Sequence, residues 1–399
     1  MRELIYLDNA ATTWPKPPEV HRFMHKFYRD YGVNPGRSGY DRAIEAEQTV
    51  HKCRTRLTNF FGGDDPDRLV FTYNATDSLN QVIQGVLWRG GHAISSNIEH
   101  NSVLRPLWHM SQRSDVKVTY LPFDGQGFID PDDVRHAIRP DTKLVIINHG
   151  SNVIGTCQPV GEIGPICRER EVFFAIDASQ TAGVVPIDIK AMCIDAVCFT
   201  GHKSLFGPTG IGGICVAAGA EIHSTRWGGT GVRSAVRSHL EEYPYRLEAG
   251  TINTLGIAGL LAGQDFIASR GGAESIYRHE MSLLKRLWEG FRETDDVILY
   301  CAESLDRHIP VLSMNVSGME AGNTGTLLDV DHNVATRTGL HCAPLVHEQL
   351  GTAAIKGTVR FSLGPFNTDE HIEAAIAGVR DIVKMSRSLK ARRTSSAAS

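Results

Sequence analysis

Lys203 stands in Phe199-Thr200-Gly201-His202-Lys203-Ser204-Leu205-Phe206-Gly207, at the end of an apolar run and ahead of turn glycines. A lysine shielded in such a place has a lowered pKa and forms an imine with an aldehyde. The plainer reading is a solvated lysine beside a turn. Asp177 closes the apolar run Phe173-Phe174-Ala175-Ile176 and puts a carboxylate at a strand's carboxyl end. A Schiff-base lysine and a carboxylate for a pyridinium nitrogen are the two protein groups that pyridoxal phosphate needs. Asp177 could equally cap a helix that follows it. A phosphate asks for backbone N–H groups and hydroxyls at a helix start. Asn74-Ala75-Thr76-Asp77-Ser78 offers these straight after the apolar run 69–73, with a simple capping motif as the rival reading. His100, in Ile98-Glu99-His100-Asn101-Ser102, also lies just past a strand. An imidazole there can lie on an aromatic ring, shuttle a proton, or be a satisfied loop histidine.

Cys342 lies in Arg337-Thr338-Gly339-Leu340-His341-Cys342-Ala343-Pro344-Leu345, ahead of an apolar pattern that predicts a helix from Pro344 to Gly351. The positive end of that helix, with Arg337 and His341 close in sequence, favours the thiolate, and only the thiolate is a nucleophile. The other seven cysteines have no such setting and read as buried structural residues. Arg360 lies inside the strand-like run Gly357-Thr358-Val359-Arg360-Phe361-Ser362. A half-buried guanidinium there wants a carboxylate, from the protein or from a substrate. His332, His341, Cys342 and His347 are near one another in sequence, but no CxxC or HExxH spacing appears, so no metal site is expected.

These residues need a scaffold that gathers them. Short apolar, β-branched runs recur at 69–73, 93–96, 118–123, 144–148, 173–177, 196–200 and 213–216, with stretches of helical spacing between most of them. Strands alternating with helices predict an α/β fold, a mainly parallel seven-stranded sheet covered on both faces. Such sheets bind ligands outside the carboxyl ends of their strands. The Gly-rich stretch 227–254 reads as loop. Helices are expected at 273–292 and, behind Thr368-Asp369-Glu370, through Ile372, Ala375, Ile376, Val379, Ile382 and Val383. The expected division is a large domain over 16–265 and a small α+β domain from 1–15 and 266–386, which carries Cys342. A frayed tail is expected over 387–399.

Composition narrows the function. Across 399 residues, 41 Lys and Arg against 45 Asp and Glu leave a formal charge of −4 without a basic block. Neither nucleic acid nor an anionic membrane is the expected partner. Hydrophobic residues at 42% and charged ones at 22% exclude disorder as the main state. No apolar run nears the roughly 18 residues of a spanning helix. Charges in Met1-Arg2-Glu3-Leu4 occupy the place of a signal peptide's apolar stretch. Eight cysteines without regular spacing make no disulfide framework, so a reducing cytoplasm is the expected setting.

Taken in order, these motifs resemble the cysteine desulfurase and selenocysteine lyase branch of the class V aminotransferases, which are fold-type I enzymes dependent on pyridoxal 5'-phosphate. The resemblance runs from Tyr6-Leu7-Asp8-Asn9-Ala10-Ala11-Thr12-Thr13 to Phe366-Asn367-Thr368, nearly the whole chain. It implies that Lys203 holds the cofactor as an imine and acts as the catalytic base. It also implies phosphate contacts from Ala75, Thr76, Thr200 and His202, a ring-nitrogen partner in Asp177, a ring-hydroxyl partner in Gln180, and stacking by His100. Asn152 and Arg360, with Arg337 near them, are implied as ligands of the substrate's carboxylate. Glu248-Ala249-Gly250-Thr251 is similar to the segment that reaches the neighbouring subunit's phosphate site, so Gly250 and Thr251 imply a homodimer. Cys342 is implied as the nucleophile that accepts sulfur.

Cys342 lies five residues after Arg337 and eighteen before Arg360. This is similar to the short-loop desulfurases, which hand sulfur to a dedicated acceptor protein and show the strongest selenocysteine lyase activity. Leu340 stands where a second histidine is frequent, and Asn74-Ala75 where Gly-Thr is more usual. The implied reaction converts L-cysteine, or alternatively L-selenocysteine, to L-alanine. Another class V aminotransferase or lyase reaction is the more distant reading.

Overall fold

The computed structural model describes residues 4–36, 39–113 and 115–397. The first part of the chain runs β1 (Ile5–Tyr6), α1 (Pro18–Tyr31), α2 (Asp41–Phe60), β2 (Leu69–Thr72), α3 (Ala75–Val86), β3 (Gly91–Ser96), α4 (Asn101–Arg113) and β4 (Val116–Leu121). It continues with α5 (Pro131–Ala137), β5 (Thr142–Asn148), α6 (Val160–Glu169), β6 (Phe173–Asp177), β7 (Ala196–Thr200) and β8 (Gly212–Val216). After a long loop come α7 (Thr254–Ser269), α8 (Ala273–Arg292), β9 (Val297–Leu299), β10 (Val311–Val316) and α9 (Ala321–His332). The last elements are β11 (Val334–Ala335), β12 (Arg337–Gly339), α10 (Pro344–Gln349), β13 (Thr358–Ser362) and α11 (Asp369–Ala397).

Strands β2 to β8 form one seven-stranded sheet in the order β2-β8-β7-β6-β5-β3-β4. The pairs from β4 through β7 are parallel, and β8 alone runs antiparallel, between β7 and β2. The run Leu144-Val145-Ile146-Ile147 shows why such a strand is apolar throughout. Val145 and Ile147 enter one core with α2, α6 and α7, whereas Leu144 and Ile146 enter another with α3 and α4. Each such wholly buried side chain contributes about 1.5–3 kcal/mol. Asn148 of β5 is the register partner of Asp177 of β6, so both polar ends emerge at the same edge.

A third core forms around the four-stranded antiparallel sheet β12-β13-β10-β9. Leu283, Leu284, Leu287 and Phe291 make the apolar stripe of α8 and meet Ile376, Val379 and Val383 of α11. Strand β1 pairs with β11, which ties the chain's first described residues to this unit.

The seven expected strands are present with ends shifted by up to two residues, and the helix expected at 273–292 is α8. The stretch 227–253 contains no helix or strand. The expected frayed tail is instead helical, as α11 continues through 387–397. Leu, Lys, Ala and Arg fill 389–393 and are strong helix formers. Arg387 adds ion pairs to Asp295 and Asp296 just past α8, which extends the docked part of the helix. Residues 1–3 of the expected small domain and 398–399 of the expected tail lie outside the described residues. No helix among the described residues is long and apolar enough to cross a membrane.

Candidate active site

Asn148, Asp177 and Thr200, at the carboxyl ends of β5, β6 and β7, face one cavity of about 210 Å³. Lys203 follows β7 in a turn closed by the Gly207 N–H donating to the Gly201 carbonyl at 2.8 Å and the Phe206 N–H to the Lys203 carbonyl at 2.9 Å. This turn presses on segment 178–183. A Cβ at Gly183, whose φ is +96°, would lie 2.1 Å from the Ser204 carbonyl oxygen, so only glycine fits. Burial lowers the Lys203 amine to about 8, with Asp177 opposing the shift and Arg360 and Arg337 adding to it. A neutral amine is therefore accessible near neutral pH. That removes the solvated-lysine reading.

Asp177 is 3% exposed, and its Oδ1 accepts from the Ser179 N–H at 2.9 Å and the Ser179 hydroxyl at 2.5 Å. It caps a turn rather than a helix, and its carboxylate still lines the cavity. Gln180 lies beside it and donates to the Ala10 carbonyl at 3.0 Å.

The start of α3 forms another part of the wall. Asn74 caps the helix by accepting the Asp77 N–H at 3.0 Å, which leaves the N–H groups of Ala75 and Thr76 without helical partners. The Thr76 hydroxyl meets that of Ser102 at 2.7 Å, and Ser102 meets His100 Nδ1 through both its hydroxyl at 2.9 Å and its N–H at 3.1 Å. Nδ1 is thus an acceptor, and the neutral ring carries its proton on Nε2. Burial, opposed by Asp177, lowers His100 to about 4, so the ring is neutral at pH 7. His202, also lowered to about 4 by burial, bonds through Nδ1 to the Thr12 hydroxyl at 3.1 Å.

The opposite wall is cationic. Arg337 of β12 stands directly across from Arg360 of β13, a like-charged pair that is unfavourable without an anion nearby. Arg360 is buried rather than half-buried. It forms an ion pair with Asp8 at 2.6 Å and donates from Nη1 to the Asn152 carbonyl at 3.0 Å. The carboxylate that the sequence leaves open is thus supplied in part by the protein. Asn152 donates its side-chain N–H to the His341 carbonyl at 2.7 Å.

Thr200 Oγ1, Asn148 Oδ1, Asn152 Oδ1, Arg360 Nε and His341 Nδ1 are buried without a partner among the described residues, and all belong to residues lining this cavity. Buried polar groups are otherwise almost always bonded, so the cavity is built for a polar ligand. Pyridoxal phosphate fits this donor set. Ala75, Thr76, Thr200 and His202 would hold the phosphate, Asp177 the ring nitrogen, Gln180 the ring hydroxyl and Lys203 the aldehyde carbon.

Of the eight free cysteines only Cys342 is exposed, and it stands at the rim of this cavity. His341 and Cys342 both adopt left-handed backbone, with φ of 48° and 59°. Two bonds hold the pair, from the Asn101 N–H to the Cys342 carbonyl at 2.7 Å and from Asn152 to the His341 carbonyl. The electrostatics beside the thiol differ from expectation. Helix α10 has six residues, ending at Gln349, and is too short for a sizeable macrodipole. His341 is buried, held well below its ordinary pKa and bonded to Thr358, so it adds no charge. Arg337 remains as the expected cation.

Gly250 and Thr251 do not join this cavity. They lie exposed beside a separate small pocket with Phe71, Arg226 and Glu248. Glu248 anchors their segment through a buried two-point pair with Arg54, at 2.8 and 3.0 Å.

Sequence reasoning passed over Asp8, Ser102 and Glu99. Ser102 is detectable only as a hydroxyl at the helix start behind His100. Glu99 is wholly buried and accepts the Asn148 N–H at 2.9 Å. Burial raises it to about 8, so it is a carboxylic acid at neutral pH.

Burial also lowers His149, His308 and His347 to about 4. With His100, His202 and His341 these are six rings that the unfolded chain protonates near pH 6.5 and the folded chain only well below. Between about pH 4 and 6.5 the unfolded state therefore binds more protons, so stability is complete above that window and falls as pH drops through it. Glu99, Asp195 and Glu280, raised by burial, act in the opposite sense but are three against seven once His92, also lowered by burial, is counted. The thermal unfolding midpoint is expected to fall between about pH 7 and pH 5. A midpoint that stays level across that range contradicts neutral burial of these rings.

The sheet order with one antiparallel strand, and a lysine-bearing cavity at its carboxyl edge, define a fold-type I transferase. The aminotransferase class-V family model matches residues 5–375, and the chain belongs to that family. Its relatives are more particular. The chain is 31% identical over 390 residues to a probable cysteine desulfurase of Methanothermobacter thermautotrophicus, covering 96% of each. It is 31% identical over 402 residues to the cysteine desulfurase IscS of Vibrio atlanticus, covering 98% of this chain and 95% of that one. Among solved structures it resembles the apo cysteine desulfurase of Thermococcus onnurineus NA1, with a TM-score of 0.89 and 33% identity over 96% of this chain and 95% of the other. The cysteine desulfurase CsdA (S-sulfonic acid) of Escherichia coli gives a TM-score of 0.85 and 26% identity over the same shares.

Proposed function

We propose that this protein is a pyridoxal phosphate-dependent cysteine desulfurase that converts L-cysteine to L-alanine and takes the sulfur onto Cys342. The carrying observation is a single exposed thiol at the rim of a cavity that holds a half-buried lysine brought down to about 8. Pyridoxal phosphate, when bound, supplies an electron sink for the charge left when the amino acid's Cα loses its proton. Lys203, as the neutral amine, takes that proton. Arg360 and Arg337 orient the substrate through its carboxylate, and neutral His100 offers its Nε2 proton within the cavity. The Cys342 thiolate attacks the substrate's sulfur, so an S–S bond forms as the C–S bond breaks. The electron pair left on carbon is protonated. One enzyme thiol and one cysteine thereby give one persulfide and one alanine.

A persulfide on an exposed residue is open to a thiol of an acceptor protein. The proposal includes a homodimer in which Gly250 and Thr251 of each chain complete the phosphate site of the other, supported by their exposure on an anchored segment. Eight free cysteines suit a reducing compartment such as the cytoplasm.

The test measures alanine formed from L-cysteine and from L-selenocysteine, with the unaltered chain and with Cys342→Ala. L-Cysteine turnover is expected to fall by on the order of 10³-fold or more while cofactor absorbance is kept. Undiminished alanine from L-cysteine in the variant refutes the role of Cys342. Selenocysteine turnover that dominates and survives the substitution makes the protein a selenocysteine lyase.

A further inference from the structure

Lys16 plays no part in the reaction derived above and does not line the cavity. Burial alone lowers its amine to about 7, with no carboxylate offsetting the shift. It donates to the Thr13 hydroxyl oxygen at 2.5 Å and to the His202 carbonyl. That same carbonyl accepts the Thr13 N–H at 3.3 Å and lies 3.1 and 3.2 Å from the Thr12 and Thr13 hydroxyls. Three donors, the Lys16 amine, the Thr13 N–H and the Thr12 hydroxyl, converge on an oxygen with two lone pairs. Lys16 is the one of them that can carry a charge, below about pH 7, and charge-assisted bonds are roughly twice as strong as neutral ones. The Thr13 hydroxyl, accepting from Lys16, turns its own proton to the carbonyl of Lys203, 3.1 Å away. Segment 12–16 thereby reaches the peptide carbonyls on both sides of the Lys203 Cα.

We infer that Lys16 is a positioning residue for Lys203: through the His202 carbonyl and the Thr13 hydroxyl it clamps the backbone on either side of the Lys203 Cα and sets where that amine enters the cavity. The inference rests on the reading of Lys203 as the group that binds cofactor and moves the Cα proton. His202 shares the clamped segment and is held by Thr12. Asp177, Asp8, Arg337 and Arg360 face Lys203 from β6, the segment after β1, β12 and β13, and none of them holds Lys16.

The test compares the full unaltered chain with Lys16→Met and Lys16→Arg, all checked to melt alike. In the cofactor-free chain, acetylation of Lys203 is followed against pH by peptide mass spectrometry. Its midpoint is expected to rise by about half a pH unit or more in Lys16→Met, as a loosened backbone lets the amine reach water and move towards its ordinary value. In the loaded enzyme, the pH at which the lysine–cofactor absorbance changes is expected to move as well. Alanine formation should lose about tenfold in kcat with KM within about twofold, and Lys16→Arg should recover to within about threefold. Unchanged midpoints and kcat in Lys16→Met overturn the inference, as does a loss that Lys16→Arg does not restore. An unaltered chain that shows no lysine–cofactor absorbance sinks the cofactor reading instead, while the acetylation midpoints still decide the role of Lys16.

Discussion

Lys203→Ala is expected to leave the chain folded, to remove the lysine–cofactor absorbance and to lower alanine formation from L-cysteine by on the order of 10⁴-fold, the upper range for loss of a general base. The fold should not suffer. The amine is lowered from its unfolded value to about 8, so between those pH values the unfolded chain binds the extra proton. Burying Lys203 therefore costs stability at neutral pH, and alanine removes that cost. With both chains free of cofactor, the thermal midpoint at pH 7 should match or exceed that of the unaltered chain. A variant that keeps its absorbance, or that loses activity only because it unfolds, is incompatible with this assignment.

The second large effect concerns stability. Glu248 and Arg54 form a two-point ion pair with both side chains 7% exposed, and Arg54 lies 4.7 Å over the Phe71 ring. The Phe71 N–H also donates to Glu248, at 2.5 Å. Glu248→Ala leaves a buried guanidinium without its counter-charge, bonded only to the Leu69 carbonyl, and a strand N–H without its acceptor, at a cost of about 3–5 kcal/mol. A clearly lower midpoint in heat or denaturant is the expected outcome. Replacing both partners by apolar residues should recover much of the loss, because desolvation of the pair offsets most of its attraction. The segment carrying Gly250 and Thr251 hangs from Glu248, so under the proposed homodimer cofactor affinity should fall along with stability. An unchanged midpoint in Glu248→Ala would show the pair to be dispensable.

What could be read from the chain and what could not divide along sequence distance. Apolar runs buried on both faces mark themselves, so β5, β6 and β7 are visible as continuous stretches and Asp177 and Lys203 as the polar residues that end them. The stripe of α8 is equally local. Arg360 presents the contrary case. Its guanidinium announces a need for a carboxylate, but its partner Asp8 lies 352 residues away and is brought near only when Ser362 pairs beside it. Lys16 escaped for the same reason, since its acceptor is a backbone carbonyl at position 202 with no side-chain signature. Nor does proximity in sequence reveal charge. His341 adjoins Cys342, yet its own burial strips it of the proton that would have counted.

The two left-handed residues at 341 and 342 bear on how sulfur leaves the enzyme. Their carbonyls are tied to Asn152 and Asn101, residues that the large sheet carries, and this leaves Cys342 little beyond rotation of its own side chain. Sulfur taken up by Cys342, as proposed, would sit in a stationary berth with no tether on which to travel. On the proposed function, the path to an acceptor would have to be closed by the acceptor's own approach to the rim of the cavity, and not by movement of Cys342.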